Sequence, residues 1–126
     1  PLAGGFLTRR FDLDMMVHSG RRDWLLERYG NTYGEAALSA IAEVAARQEA
    51  TPAQVALAWV LQNPTVTSAV IGVHSVAQLH DLVQATSLRL SASDLEHLDH
   101  ATAAEEIRLA PDIARADLAE RPLALA

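Results

Sequence analysis

Apolar positions along this chain follow a helical period in several stretches and change period once. Over residues 35–49, Leu38, Ile41, Ala42 and Ala45 form one stripe, with Glu35, Glu43, Arg47 and Gln48 mostly off it. That spacing predicts an amphipathic helix. Residues 52–62 repeat the pattern with Val55, Ala58, Trp59 and Gln62, and their many alanines suggest close packing on a neighbour. Residues 76–85 predict a further helix burying Leu79, Leu82 and Val83. Between these two helices, Val66 to Val73 is a short, β-branched apolar run with only Thr67 and Ser68 polar, as expected of a strand covered on both faces. Leu88-Arg89-Leu90 reads as extended, and Ser91-Ala92-Ser93-Asp94 starts a short helix carrying Leu95 and Leu98. Residues 1–34 read as a long loop punctuated by Gly4-Gly5, Ser19-Gly20, Gly30-Asn31 and Gly34, with one turn of helix at Trp24-Leu25-Leu26. Residues 103–126, Ala-rich with Pro111 and Pro122, read as a tail after a unit spanning 1–102.

The element boundaries carry their own signals. Thr51-Pro52-Ala53-Gln54 is a capping box with proline at the first helical position. Asn63-Pro64 ends that helix, because the residue before proline is pushed out of the α region. Ser75-Val76-Ala77-Gln78 reads as a second capping box. Ile71-Gly72-Val73-His74-Ser75 therefore joins the C-terminal end of a strand to a helix N-terminus. Parallel α/β folds place ligands at such junctions, and the free backbone N–H groups favour an anion. A lone strand leaves unpaired backbone groups on both edges, so this one is expected to sit beside strands that the chain does not itself supply.

Composition narrows the chemistry. A length of 126 residues, half of them hydrophobic, is enough for one domain, but a closed (β/α)8 barrel needs about 250. The net charge of −6 argues against a nucleic-acid partner. There is no cysteine, which excludes disulfides and thiolate metal sites and fits the cytoplasm. No apolar run is long enough to span a membrane, and the N-terminal stretch lacks the features of a signal peptide. The absence of an initiator Met leads us to expect a chain that starts inside something larger. There is also no lysine, so any mechanism that needs a titrating amine must take it from elsewhere.

Four pieces, in order, resemble the C-terminal part of the aldo-keto reductase family. They are PLAGGFLT at residues 1–8, TPAQVALAWVLQNP at 51–64, VTSAVIGVHSVAQL at 66–79 and LRLSASDLEHLD at 88–99. The resemblance implies an α/β fold: the C-terminal portion of a (β/α)8 TIM barrel, beginning after the seventh strand, mostly helical, with Val66–Gly72 as one parallel strand. It implies an NADP(H)-dependent oxidoreductase that reduces aldehydes or ketones, with NAD(H) as the alternative cofactor. The missing N-terminal part of the barrel becomes the expected partner, and the isolated segment is expected to be inactive.

The same resemblance assigns cofactor-binding positions. Gly72, Val73, His74, Ser75 and Gln78 fall where similar enzymes hold the adenosine 2′-phosphate, and Leu2, Gly4 and Leu7 fall beside the pyrophosphate. Three positions depart from the family. His74 stands where Arg or Lys is usual, Asp81-Leu82 replaces an acidic–Asn pair whose Asn contacts adenine, and Arg9-Arg10 replaces Gly-Lys. No catalytic residue is assigned: the family's Tyr, Lys, Asp and His precede this segment, and Tyr29 and Tyr33 read as packing or lid residues. His97 and His100 with Glu96 and Asp94 share a helix face but read more simply as polar surface than as a metal site. Two other readings of the chain remain, a non-catalytic helical interaction module and an inert truncated fragment.

Overall fold

A computed structural model of the chain describes residues 1–8 and 20–103. Among these are five α-helices, α1 (Gly20–Tyr29), α2 (Thr32–Arg47), α3 (Pro52–Leu61), α4 (Val76–Val83) and α5 (Ala92–Thr102), and two 3₁₀ segments, Ala3–Thr8 and Gln84–Thr86. Arg9-Arg10 and nearly all of the expected tail, residues 104–126, lie outside the described residues.

The helices begin where side chains can satisfy the first free N–H groups. Thr51 accepts from the Gln54 N–H and Gln54 accepts from the Thr51 N–H, so the expected capping box starts α3, with Pro52 at its first position. Ser91 and Asp94 form a second complete box at α5. α2 starts three residues before the expected 35, because Asn31 accepts from the Gly34 N–H and caps it. Gly34 is then a helix residue. A Cβ there would collide with the Tyr29 carbonyl, so glycine permits the close turn from α1 into α2.

α3 is the centre of the core. Ala53, Val55, Ala56, Leu57 and Ala58 are all buried, so the helix is covered on nearly every side, as its near-absence of polar residues demands. α2 packs on α3 and α5, and α4 with both 3₁₀ segments covers the rest of α3. Ile41, Val44, Val55, Leu82 and Leu98 are the large, almost fully buried side chains of this core. The buried stripe of α2 is Ala37, Ala40, Ile41, Val44 and Ala45, a rotation of about one residue from the expected stripe. α1 is longer than the single turn expected and buries Leu25 against the first 3₁₀ segment, while Trp24 is half exposed.

Two expectations are corrected. No strand is found among the described residues, and Val66–Gly72 runs without regular structure. A strand is a pairing rather than a local conformation, and residues 67–73 make no hydrogen bond to any other described residue. On α4 only Leu82 is buried, whereas Leu79 and Val83, also expected inside, are exposed. With Val76 at 71% exposure, they form an apolar face of α4 that nothing in the described chain covers, and Val70 in the preceding run is 86% exposed. In solution this chain is expected to self-associate. Val70→Asp should shift sedimentation toward monomer without changing helical content, since Val70 supports no described contact; a native chain that stays monomeric at high concentration would contradict this.

One buried charge locks α5 to α2. The Asp94 carboxylate accepts from Arg47 Nη2 at 2.8 Å and Nε at 3.3 Å, from Gln48 Nε2 at 2.7 Å and from Ser91 Oγ at 2.8 Å. The Arg47 guanidinium, followed by the Ser91 and Gln48 donors, holds Asp94 down from 3.8 to about 2, against the opposing effect of burial. The folded value is the lower one, so the carboxylate stabilises the fold fully above about pH 4, by about 2 kcal/mol, and this is lost as pH falls through about 2. Asp94→Asn should therefore destabilise the fold by roughly 2–3 kcal/mol near neutrality, and the gap to the native chain should close toward the acid end of a denaturant titration series.

Candidate functional site

The loop before α4 is built by hydrogen bonds from side chain to backbone. Ser75 is the N-cap, and its Oγ accepts from the Gln78 N–H at 3.1 Å. The reciprocal bond expected of a capping box is absent. Gln78 Oε1 accepts from the His74 N–H at 2.8 Å, one residue further back. The Gln78 side chain thus closes the loop over residues 74–78 and leaves its own Nε2 as a donor. The N–H groups of Val76 and Ala77 have no acceptor among the described residues, as at any helix start. Both the donors and the helix dipole suit an anion there. The His74 side chain is exposed beside them and makes no hydrogen bond among the described residues.

The first 3₁₀ segment is the second half of the site. The Leu2 carbonyl accepts from the Gly5 N–H at 2.9 Å and the Leu7 N–H at 3.3 Å, which curls the N-terminal residues over α3. Gly4 and Gly5 take positive φ, 68° and 103°, and allow that curl. Gly4 also lies against α1: a Cβ there would stand 3.0 Å from Leu25 Cδ2. Thr8 Oγ1 donates to the Gly5 carbonyl at 2.7 Å and ties the end of the segment back to its start.

The two halves meet in one groove of about 410 Å³. Leu2 and Thr8 form one wall, Thr51, Pro52 and Ala53 at the start of α3 a second, and Gln78, Asp81 and Leu82 of α4 the third. Of the sequence-assigned positions, the groove brings together Leu2 and Gln78. Leu7 packs partly buried on the core, and Gly4 serves the contact with α1. Gly72, Val73, His74 and Ser75 lie on the open approach to α4, and nothing lies within 4 Å of where a Gly72 Cβ would be.

Sequence patterns do not assign Thr51, Pro52 or Ala53 to the site, and they note Asp81-Leu82 only as a departure from the family pair. They also miss Gln54, whose Nε2 donates to the Asp81 carbonyl and to Asp81 Oδ1, both at 2.9 Å. The capping box makes Gln54 visible, but its second role joins positions 27 apart, which local spacing does not report. Leu82, standing where the resemblance expects Asn, is 1% exposed and belongs to the core beneath the groove.

Several of the other chemistry-bearing side chains have structural partners, whereas Tyr33 is half exposed and its side chain makes no contact of this kind among the described residues. Tyr29 packs on Phe6 with ring centroids 5.5 Å apart and edge-on to Trp24 at 6.3 Å. His97 Nε2 meets Glu43 Oε2 at 3.0 Å, and Asp94 is engaged by Arg47. No group of three or more metal-ligating side chains occurs among the described residues. None of the described helices is long and apolar enough to cross a membrane.

Residues 1–103 match the sequence profile of the aldo/keto reductase family. The chain is 31% identical over 100 residues to the uncharacterized oxidoreductase YrpG of Bacillus subtilis, an alignment covering 79% of this chain and 29% of that protein. It is 32% identical over 101 residues to protein tas of Escherichia coli, covering 78% of this chain and 29% of that one. The chain thus spans under a third of the length of these curated relatives.

Proposed function

The chain belongs to the aldo/keto reductase family, and we propose that it forms the cofactor-end portion of an NADP(H)-dependent carbonyl reductase. The carrying observation is the groove that joins Leu2 and Thr8 to Gln78, Asp81 and Leu82 of α4. The residues present suit a nucleotide. Leu2, Pro52, Ala53 and Leu82 supply apolar surface, Gln78 supplies a donor, Asp81 an acceptor, and the α4 N-terminus free N–H groups. The bound cofactor supplies the hydride for an aldehyde or ketone. On this reading, Val76 and Ala77 N–H with Ser75 and His74 receive the 2′-phosphate, while the curl at Leu2–Leu7 lies toward the pyrophosphate. The proton chemistry comes from residues outside this chain, because the chain holds no lysine and Tyr29 is occupied in packing. The missing strands of a (β/α)8 barrel would pair with Val66–Gly72, the expected small-molecule partner is a carbonyl substrate, and the lack of cysteine supports a cytoplasmic setting.

The isolated chain should show no NADPH oxidation with a panel of aldehydes. Grafted into YrpG in place of its matched segment, it should restore cofactor binding. Activity of the isolated chain, or a folded graft that binds neither NADPH nor NADH, would overturn the assignment.

The side chain at position 74 offers a way to separate the two cofactors. An imidazole carries full positive charge only on the acid side of neutrality, whereas a guanidinium carries it throughout. His74→Arg should tighten NADPH by about tenfold near pH 8, the worth of one charge-assisted contact, and leave NADH unchanged. Parallel responses of the two cofactors would show that His74 does not face the 2′-phosphate.

A further inference from the structure

The outer face of α1 gathers hydrogen-bond donors that meet no acceptor among the described residues. The Arg28 guanidinium carbon stands 5.6 Å from the centroid of the Trp24 ring and 5.8 Å from that of Tyr29. These two rings meet edge to face, with centroids 6.3 Å apart, and Tyr29 rests in turn on Phe6. The rings answer the charge of Arg28 but use none of its N–H groups. Arg28 makes no hydrogen bond or ion pair among the described residues, and Trp24 Nε1 and the Tyr29 hydroxyl have no partner there either. Leu25 is buried and meets Gly4, which seats α1 on the N-terminal 3₁₀ segment while Trp24 stays half exposed. The elements that hold this patch, α1, the first 3₁₀ segment and α2, all belong to the described residues. One step around α1, Asp23 and Glu27 are exposed and have no cationic partner among those residues. Their charge opposes a polyanion such as a phosphate and favours a single carboxylate on an apolar body.

We propose that the Trp24–Arg28 face of α1 binds an aromatic carboxylate. Arg28 donates to the carboxylate through its planar fork, and the half-exposed indole of Trp24 carries the ring of the ligand. The two rings beneath Arg28 already restrict its guanidinium, so less freedom is lost on binding than for an arginine without such contacts. None of Trp24, Arg28 and Tyr29 lines the groove described above. Leu2 and Thr8 face that groove, whereas Gly4 and Phe6 of the same segment face α1. The inference therefore stands apart from the cofactor reading. Arg28 also sits in the last turn of α1, where any cation suits the helix dipole. That structural role needs only charge, whereas the proposed one needs the fork.

The test is equilibrium dialysis of the 126-residue chain against benzoate, with benzamide and acetate as the matched probes. Benzamide keeps the ring and loses the charge, and acetate keeps the charge and loses the ring. The native chain should bind benzoate about tenfold more tightly than either, the worth of one charge-assisted contact or one stacked ring. Arg28→Lys keeps the charge in the last turn of α1 but removes the fork, and should lower benzoate affinity several-fold with an unchanged thermal melt. Trp24→Leu keeps an apolar side chain and should bring benzoate down to the level of acetate. Should either variant melt early, the three probes on the native chain decide the matter. Benzoate bound no more tightly than benzamide or acetate overturns the inference. Benzoate binding that survives both variants lies elsewhere on the chain and overturns it as well. Neither result touches the cofactor reading.

Discussion

A helix whose every face is apolar has to be covered on every face, and α3 imposes that constraint on the rest of the described chain. Its ten residues contain one polar side chain, Gln54. α2 covers one side and is itself backed by α5, α4 and the short Gln84–Thr86 turn cover another, and the N-terminal 3₁₀ segment closes over its start. Alanine at positions 53, 56 and 58, all buried, permits a close approach of the neighbours. The groove is a consequence of this arrangement: the N-terminal 3₁₀ segment and α4 converge on the first turn of α3 and do not quite meet.

The polar groups inside this assembly do the orienting that apolar packing cannot. Asp94 receives donors from α2 and from its own N-cap, which sets the angle of α5. Trp59 Nε1 donates to Asp99 at 2.8 Å and ties α3 to the far end of the same helix. Gln54 does for α4 what Arg47 does for α5. Each bond joins groups partly shielded from water, where an unmet partner costs more than the bond contributes. Both links recruit a residue from a helix start or end, where backbone groups already need side-chain partners. Capping and tertiary docking are thus performed by the same side chains.

Local signals make most of the helices legible in the sequence alone. Thr51 to Gln54 and Ser91 to Asp94 mark two helix starts correctly, because a capping box depends only on residues three apart. The α2 start escapes such a reading because Gly30, Asn31 and Gly34 look like loop punctuation, and only the Asn31 cap turns them into a helix entry. At Ser75 the signal is half right, since the Gln78 side chain takes the His74 N–H in place of the cap residue's own. The groove is legible in part: Leu2 and Gln78 come from separate stretches, but nothing local says that they face one another. Asp81 goes unassigned because its environment is made by Gln54, far away in sequence.

The run at Val66–Val73 shows where local reading ends for a physical reason. Its composition is that of a strand, yet no strand forms there, because β-structure requires a second backbone that the described residues do not provide. Ala69 and Ile71 pack partly on the core, while Val70 and the apolar face of the following helix, α4, are left exposed. The end of this run also delivers the chain to His74 and Ser75, so the course of residues 66–73 decides where the α4 N-terminus points. Pairing that run would therefore stiffen the approach to the site and cover Val70 in a single event. The groove at Asp81, held from behind by Gln54 through α3, does not depend on that pairing. The two parts of the candidate site are thus positioned by different means, one by the helical core and one by whatever completes the sheet.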